Sequence, residues 1–138
     1  GRWKYNTAKS IQNRDDSPVQ RDPTFTWIFA PQGVGLRMDV YAKYPAATPT
    51  RTIPVIPDGQ QHICGTVASC LTSQGDGREQ SVAYWRINSR LMMRIFKVRD
   101  RETEHVAYTV SPDGKTLAIT SWTPETPWRQ NLQVFDKQ

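Results

Sequence analysis

Hydrophobic and polar positions alternate with a period of two along most of this chain, the spacing of strands whose successive side chains point to opposite faces. Between residues 34 and 43, Val34, Leu36, Met38, Val40 and Ala42 share one face, and Gly35, Arg37, Asp39, Tyr41 and Lys43 share the other. The preceding stretch, 24–30, is rich in β-branched and aromatic residues, and Pro31-Gln32-Gly33 reads as the turn of a hairpin joining the two. Further strands are expected at 51–56, 60–64, 80–87, 90–99, 104–110, 116–122 and 131–136, after a short first strand at 3–5. Ten prolines break any long helical window and leave a helical turn near Thr7 to Gln12 as the one helical element. Ser111-Pro112-Asp113-Gly114-Lys115 is a tight turn in which Pro presets φ, Asp bonds locally and Gly accepts a positive φ, so 104–110 and 116–122 should be neighbours. Residues 11–23, 44–59 and 72–79 read as irregular. The prolines of the second segment confine 51–56 to an edge strand or an extended loop.

Nine or ten short strands must bury one face of their sheet, and no helix is long enough to cover it. The solutions are a barrel or a sandwich, and a meander of local hairpins favours the barrel. The expected fold is therefore all-β, a single antiparallel up-and-down barrel of about eight to ten strands with at most one short helix. A chain of 138 residues makes one domain, 1–138. Hydrophobic content is only 37%, but 5 Trp, 5 Tyr and 4 Phe supply large apolar bodies, which argues against whole-chain disorder. The run Val110 to Thr120 looks like part of a propeller blade, yet it occurs once, and the chain is too short for the usual minimum of about four blades.

A net charge of +5, carried by Arg more than Lys, raises the question of an anionic partner. The basic residues are scattered, with no run of five or six like charges. The densest group, Arg86, Arg90, Arg94, Arg99 and Arg101, is diluted by Asp100, Glu102 and Glu104, so nucleic acid is a disfavoured partner and weak polyanion binding ranks last. No transmembrane helix of about 20 apolar residues exists. Gly1-Arg2-Trp3-Lys4 is not followed by the apolar run of a signal peptide, and a mature exported protein begins in the same way.

The 80–99 hairpin carries the most suggestive chemistry. With Asn88-Ser89 as a two-residue turn, Trp85 faces Met92 and Ala83 faces Arg94, so Trp85, Met92, Arg94 and Phe96 share a face. Both faces are substantially apolar and each carries an Arg, as in a barrel wall with a covered exterior. Arg94 in an apolar pocket is a bidentate handle for a carboxylate; the plainer alternative is that its stem lies on apolar surface while its head reaches water. Trp27, Trp85, Met92, Arg94 and Phe96 are the candidate ligand-binding wall.

His62 opens a strand where it can face a cavity, and Asp39 can orient it, a couple sufficient for general acid–base work near neutral pH. The plainer reading of His62 is an exposed strand residue, and His105, beside Glu104, reads as solvated surface. Gly-x-Ser-x-Gly and Gly-rich phosphate loops are absent. Cys64 and Cys70 either close a small loop, worth roughly 2–2.5 kcal/mol in the chain-entropy model, or remain buried thiols. Zinc held by His62, Cys64, Cys70 and His105 is disfavoured by the spacing, so no metal and no cofactor is expected.

Gly1-x-Trp3-Lys4-x-Asn6-x-Ala8-Lys9-Ser10, Asp58-Gly59-x-x-His62, and Val110-Ser-Pro-Asp-Gly-Lys-Thr116 through Val134-Phe-Asp-Lys-Gln138 together resemble small exported bacterial proteins of lipocalin-like (calycin-type) β-barrel form, mostly uncharacterised. The resemblance spans both ends of the chain. It implies a barrel closed by the last strand, and a periplasmic or secreted location with the signal peptide removed. It also implies a structural Trp3 partnered by a late-chain Arg such as Arg129. The sequence departs from the pattern at His62-Ile63-Cys64, where relatives usually carry an aromatic followed by Pro. The leading expectation is a pocket for a small, largely apolar and anionic ligand. The alternative is an isomerase, cyclase or lyase using His62 and Asp39. Oligomeric state is not legible.

Overall fold

The computed structural model describes residues 1–11, 24–64 and 79–138, so the irregular segments expected at 11–23 and 72–79 lie almost wholly outside the described residues. The strands are β1 (Arg2–Tyr5), β2 (Thr26–Gln32), β3 (Gly35–Tyr41), β4 (Arg51–Val55), β5 (His62–Ile63), β6 (Gln80–Arg86), β7 (Leu91–Val98), β8 (Arg101–Val110), β9 (Thr116–Trp122) and β10 (Asn131–Lys137). The expected helical turn is a single 3₁₀ turn, Thr7–Lys9, capped by the Asn6 side chain. All ten strands form one antiparallel sheet in the order β4-β3-β2-β1-β10-β9-β8-β7-β6-β5, curled into a half-barrel with up-and-down connectivity. The first and last strands meet in the middle of the sheet, and the edges are β4 and β5.

Because every neighbour is antiparallel, the β2–β3, β4–β5, β6–β7 and β8–β9 connections gather at one end, called here the turn end. The β1–β2, β3–β4, β7–β8 and β9–β10 connections lie at the opposite end. The β2–β3 turn is tighter than its Pro suggested: Gln32 pairs Gly35, leaving Gly33 and Val34 as a two-residue turn, with Gly33 at φ +56°. Pro31 is tolerated in β2 for a local reason. Phe29 N–H donates to Gly1 O, so residue 31, two further on, points beyond the start of β1, where the missing N–H breaks no ladder bond.

One face of the sheet builds the core. Trp3, Tyr5, Phe25, Trp27, Tyr108 and Phe135 are all buried, and all but Trp3 interlock by ring contacts; Trp27, for example, meets Phe135 edge-on at 6.0 Å between centroids. Met38, Ile53, Val82 and Phe96 bring β3, β4, β6 and β7 to the same cluster, which shows how far the sheet curls. The cation over the Trp3 ring is Lys137, its direct cross-strand partner, with Nζ 5.9 Å from the ring centroid. The expected Arg129 precedes β10 and stands at that strand's other end.

The β6–β7 hairpin differs from expectation by one residue. Ile87 N–H donates to Leu91 O, the loop is Asn88-Ser89-Arg90, and the register is Tyr84↔Arg94 and Trp85↔Met93. A one-residue change in loop length turns a whole strand over. Trp85 therefore stands on the face opposite Arg94, and Tyr84 takes its place inside.

The seam where β1 and β10 join is reinforced from the side. Asp136 accepts from Asn6 Nδ2 at 2.6 Å and from Lys9 Nζ at 3.0 Å, and these two donors hold its carboxyl below the ordinary 3.8. A depressed carboxylate stabilises the fold above its unfolded pKa and loses that contribution as pH falls through its folded value. Asp136→Asn is expected to lower the melting temperature at pH 7 and to shrink the stability lost between pH 5 and pH 2, about the window of a depressed carboxylate. Thermal melts of both proteins across that range check it. Parallel pH curves would show that the tie carries no such linkage.

Candidate functional site

Among the described residues the half-barrel holds a cavity toward each end, with Tyr108 lining both. Trp27 and Phe29 stack at 5.9 Å between centroids, and each lies within 6.5 Å of the Tyr108 ring centroid. This aromatic trio, supplied by β2 and β8, is the partition. The cavity at the turn end is about 290 Å³ and is walled mainly by apolar side chains such as Phe29, Leu36, Met92 and Leu117. The other is about 330 Å³ and mixes apolar walls (Phe25, Val40, Ile119) with Arg94, Glu104 and Gln133.

Arg94 is the chemical centre of the second cavity. It projects from β7 into the core at 4% exposure, and its Nη2 donates to Glu104 Oε2 on β8 in a close charge-assisted bond. The pairing depends on a local irregularity. Phe96 pairs with Glu104 but Lys97 pairs with Glu102, so Thr103 is an extra residue bulged out of β8. Continuing the register of the β7–β8 turn without the bulge would set Glu104 opposite Ile95 and turn Glu104, Val106 and Tyr108 outward together. Burial favours a neutral guanidine, but the Tyr108, Glu104 and Tyr84 oxygens outweigh it, so Arg94 is held charged. Burial in turn pushes the Tyr108 and Tyr84 hydroxyls upward against the pull of Arg94, which keeps both phenols protonated.

The polar accounting around Arg94 is incomplete. Among the described residues, the Tyr108 and Tyr84 hydroxyls, Trp27 Nε1 and Arg94 Nε are buried with no hydrogen bond of good geometry. Arg94 opposes burial at each phenol both by its charge and by side-chain contact, although neither hydroxyl reaches full hydrogen-bond geometry with it. Buried polar groups are satisfied in the large majority of cases, and each orphan costs about 1–3 kcal/mol. Three of these orphans (Tyr108 Oη, Trp27 Nε1 and Arg94 Nε) are donors carried by residues that line one cavity.

The candidate wall residues distribute unevenly. Trp27 and Arg94 line the polar cavity, Met92 lines the apolar one, and Phe96 is packed in the core. Trp85 lies on the outer face, where Gly59, at φ +75°, packs against its indole; a Cβ there would stand 2.7 Å from Nε1. His62 and Asp39 do not form a couple. Asp39 spends its oxygens on Arg37 Nε at 3.0 Å and Thr52 Oγ1 at 2.7 Å, on the face of β3 turned away from the core. His62 Nε2 instead lies 3.1 Å from both oxygens of Asp58, four residues back on the same edge segment. His105, expected at the surface, is bonded to Glu102 at 2.7 Å and edge-on to Trp122. Cys64 is in a disulfide, and Cys70, the other cysteine of the sequence, lies outside the described residues.

Sequence reasoning missed Tyr84, Glu104 and Tyr108. Glu104 was absorbed into a charged strand start, although its even-numbered spacing with Val106, Tyr108 and Val110 was a usable signal. Tyr84 was displaced by the register error. No protein-family model matches the chain, and no curated protein matches it.

Removing one partner of the buried pair should show its structural weight. Glu104→Gln leaves Arg94 charged and uncompensated, and is expected to cost about 2–4 kcal/mol in urea unfolding. The double variant Arg94→Met/Glu104→Leu is expected to recover most of that loss. A Glu104→Gln cost under about 0.5 kcal/mol, the scatter of surface substitutions, would contradict this account.

Proposed function

We propose that this protein is a small-molecule-binding half-barrel, and that its ligand is a largely apolar carboxylate held in the polar cavity. The supporting observation is the group of three orphaned buried donors, Tyr108 Oη, Trp27 Nε1 and Arg94 Nε, around one chamber. The ligand's carboxylate accepts from them, and its apolar body lies against Phe25, Val40 and Ile119. Glu104 already neutralises Arg94, so the site discriminates by directed donors more than by net charge. A volume of about 330 Å³ falls at the small end of ligand pockets and suits a compact molecule, an aromatic acid rather than a long chain. Residues that leave donors unsatisfied without ligand represent stability given up for binding.

A disulfide at Cys64 supports an oxidising compartment, in keeping with a periplasmic or secreted protein. Acid–base chemistry at His62 draws support only through Asp58. Asp58 is held below its ordinary pKa by the Gln60 N–H and by His62, an arrangement that also describes a structural tie.

Tyr108→Phe tests the reading, because it removes one donor and keeps the ring. Without ligand the variant is expected to stay within about 1 kcal/mol of the native protein's stability, because it loses an unsatisfied hydroxyl together with an oxygen that favours the Arg94 charge. Its affinity for an aromatic carboxylate such as indole-3-acetate, measured by calorimetry, is expected to fall about fivefold to tenfold. Indole-3-ethanol should bind native protein and variant more nearly alike. Equal carboxylate affinity in the two proteins, or no binding across a panel of aromatic acids together with a ligand-free native mass spectrum, would sink the proposal.

A further inference from the structure

The apolar cavity at the turn end is independent of the Arg94 site, being walled off by Trp27, Phe29 and Tyr108. We propose that it is a second binding site, for a free single-chain anionic amphiphile. The chain would enter between the β2–β3 and β6–β7 hairpins, and the headgroup would stay at the rim against Arg86 and Arg90.

Three observations carry this. The walls, including Phe29, Leu36, Met92, Val110 and Leu117, come from five strands and offer almost no hydrogen-bonding side chain to a ligand's interior portion. That composition fits a hydrocarbon chain. The volume of about 290 Å³ holds roughly ten water-sized units, which suits a medium alkyl chain.

The mouth carries an exposed apolar side chain. Val34, at the tip of the β2–β3 hairpin, is 93% exposed and lines the cavity. Exposed large apolar side chains beside a pocket mark a contact site more often than scattered ones do.

The charge at the rim has one sign. Arg86 and Arg90 line the cavity from the β6–β7 hairpin, are exposed, and join no ion pair among the described residues. The acidic side chains of the neighbouring turns are already committed. Asp58 is bonded to His62, and Asp113 accepts from Ser111 Oγ and from the Lys115 N–H. Two uncommitted guanidiniums over an apolar chamber select an anionic head joined to an apolar tail.

The test titrates the native protein with decanoate and with decanol while following backbone amide shifts. Decanoate is expected to shift Gly35, Ser89, Leu91 and Val110 and to leave Thr50 and Ser121, at the polar cavity, in place. Arg86→Gln/Arg90→Gln, at exposed positions, should keep the fold, lower decanoate affinity about tenfold and leave decanol binding within about twofold. Equal losses for both ligands, shifts confined to the polar cavity, or no shifts with either would overturn the proposal. So would cosedimentation with phosphatidylglycerol vesicles by a protein that ignores free decanoate, since the rim would then be meeting a bilayer surface. With indole-3-acetate titrated in the same way and read at Thr50 and Ser121, and decanoate at Gly35 and Leu91, failure at one cavity is distinguishable from failure at the other.

Discussion

The pairing of β1 with β10 is the contact on which the rest of the architecture hangs. β1 is only four residues long, yet among the described residues it is the strand that joins β4-β3-β2 to β10 through β5. Its two inward side chains, Trp3 and Tyr5, are both buried, and Tyr5 meets Phe25 and Phe135 edge-on. A short ladder offers few hydrogen bonds, so aromatic area is what makes the junction hold. Asn6 and Lys9 then clasp Asp136 from the turn that follows β1. Chain ends separated by almost the whole sequence thus become the centre of the sheet, and both cavities lie in the curve this junction maintains.

Aromatic packing also divides the interior. Trp27, Phe29 and Tyr108 fill the middle of the half-barrel, and the side chains on either side differ in kind. Toward the turn end they are almost uniformly apolar. Toward the other end a guanidinium, an indole N–H and two phenols are gathered away from water, with a half-buried carboxylate beside them. A charge in such a place persists only when paired, and Glu104 supplies the partner. The β8 bulge delivers that carboxylate to the inward face, so one extra residue in a strand decides whether the core is tolerable.

The fold was largely legible because its causes are local. Alternation at 34–43, the Ser111–Lys115 turn and the prolines of 44–57 led to strands, a hairpin and an edge close to those observed. The site was legible only in part. Arg94 and Trp27 stood out as a cation and a large ring on strands with an apolar face, and both line the polar cavity. Trp85 did not, because Arg90 belongs to the turn and the strand behind it is turned over. The His62–Asp39 couple failed for a different reason. Each residue meets a nearer partner on its own edge of the sheet, Asp58 for one and Thr52 for the other.

Side-chain period, turn chemistry and the scarcity of helix-compatible windows are properties of neighbouring residues, so the sequence alone determined an antiparallel all-β chain that must curl to bury one face. Which faces meet is not a local property. Register between strands depends on loop conformation and on bulges, each governed by a fraction of a turn, and a shift of one residue inverts every side chain that follows. The tertiary structure therefore decided that Tyr84 and not Trp85 looks inward, that a half-buried Glu104 turns onto Arg94, and that one curved sheet holds two chambers of opposite character among the described residues.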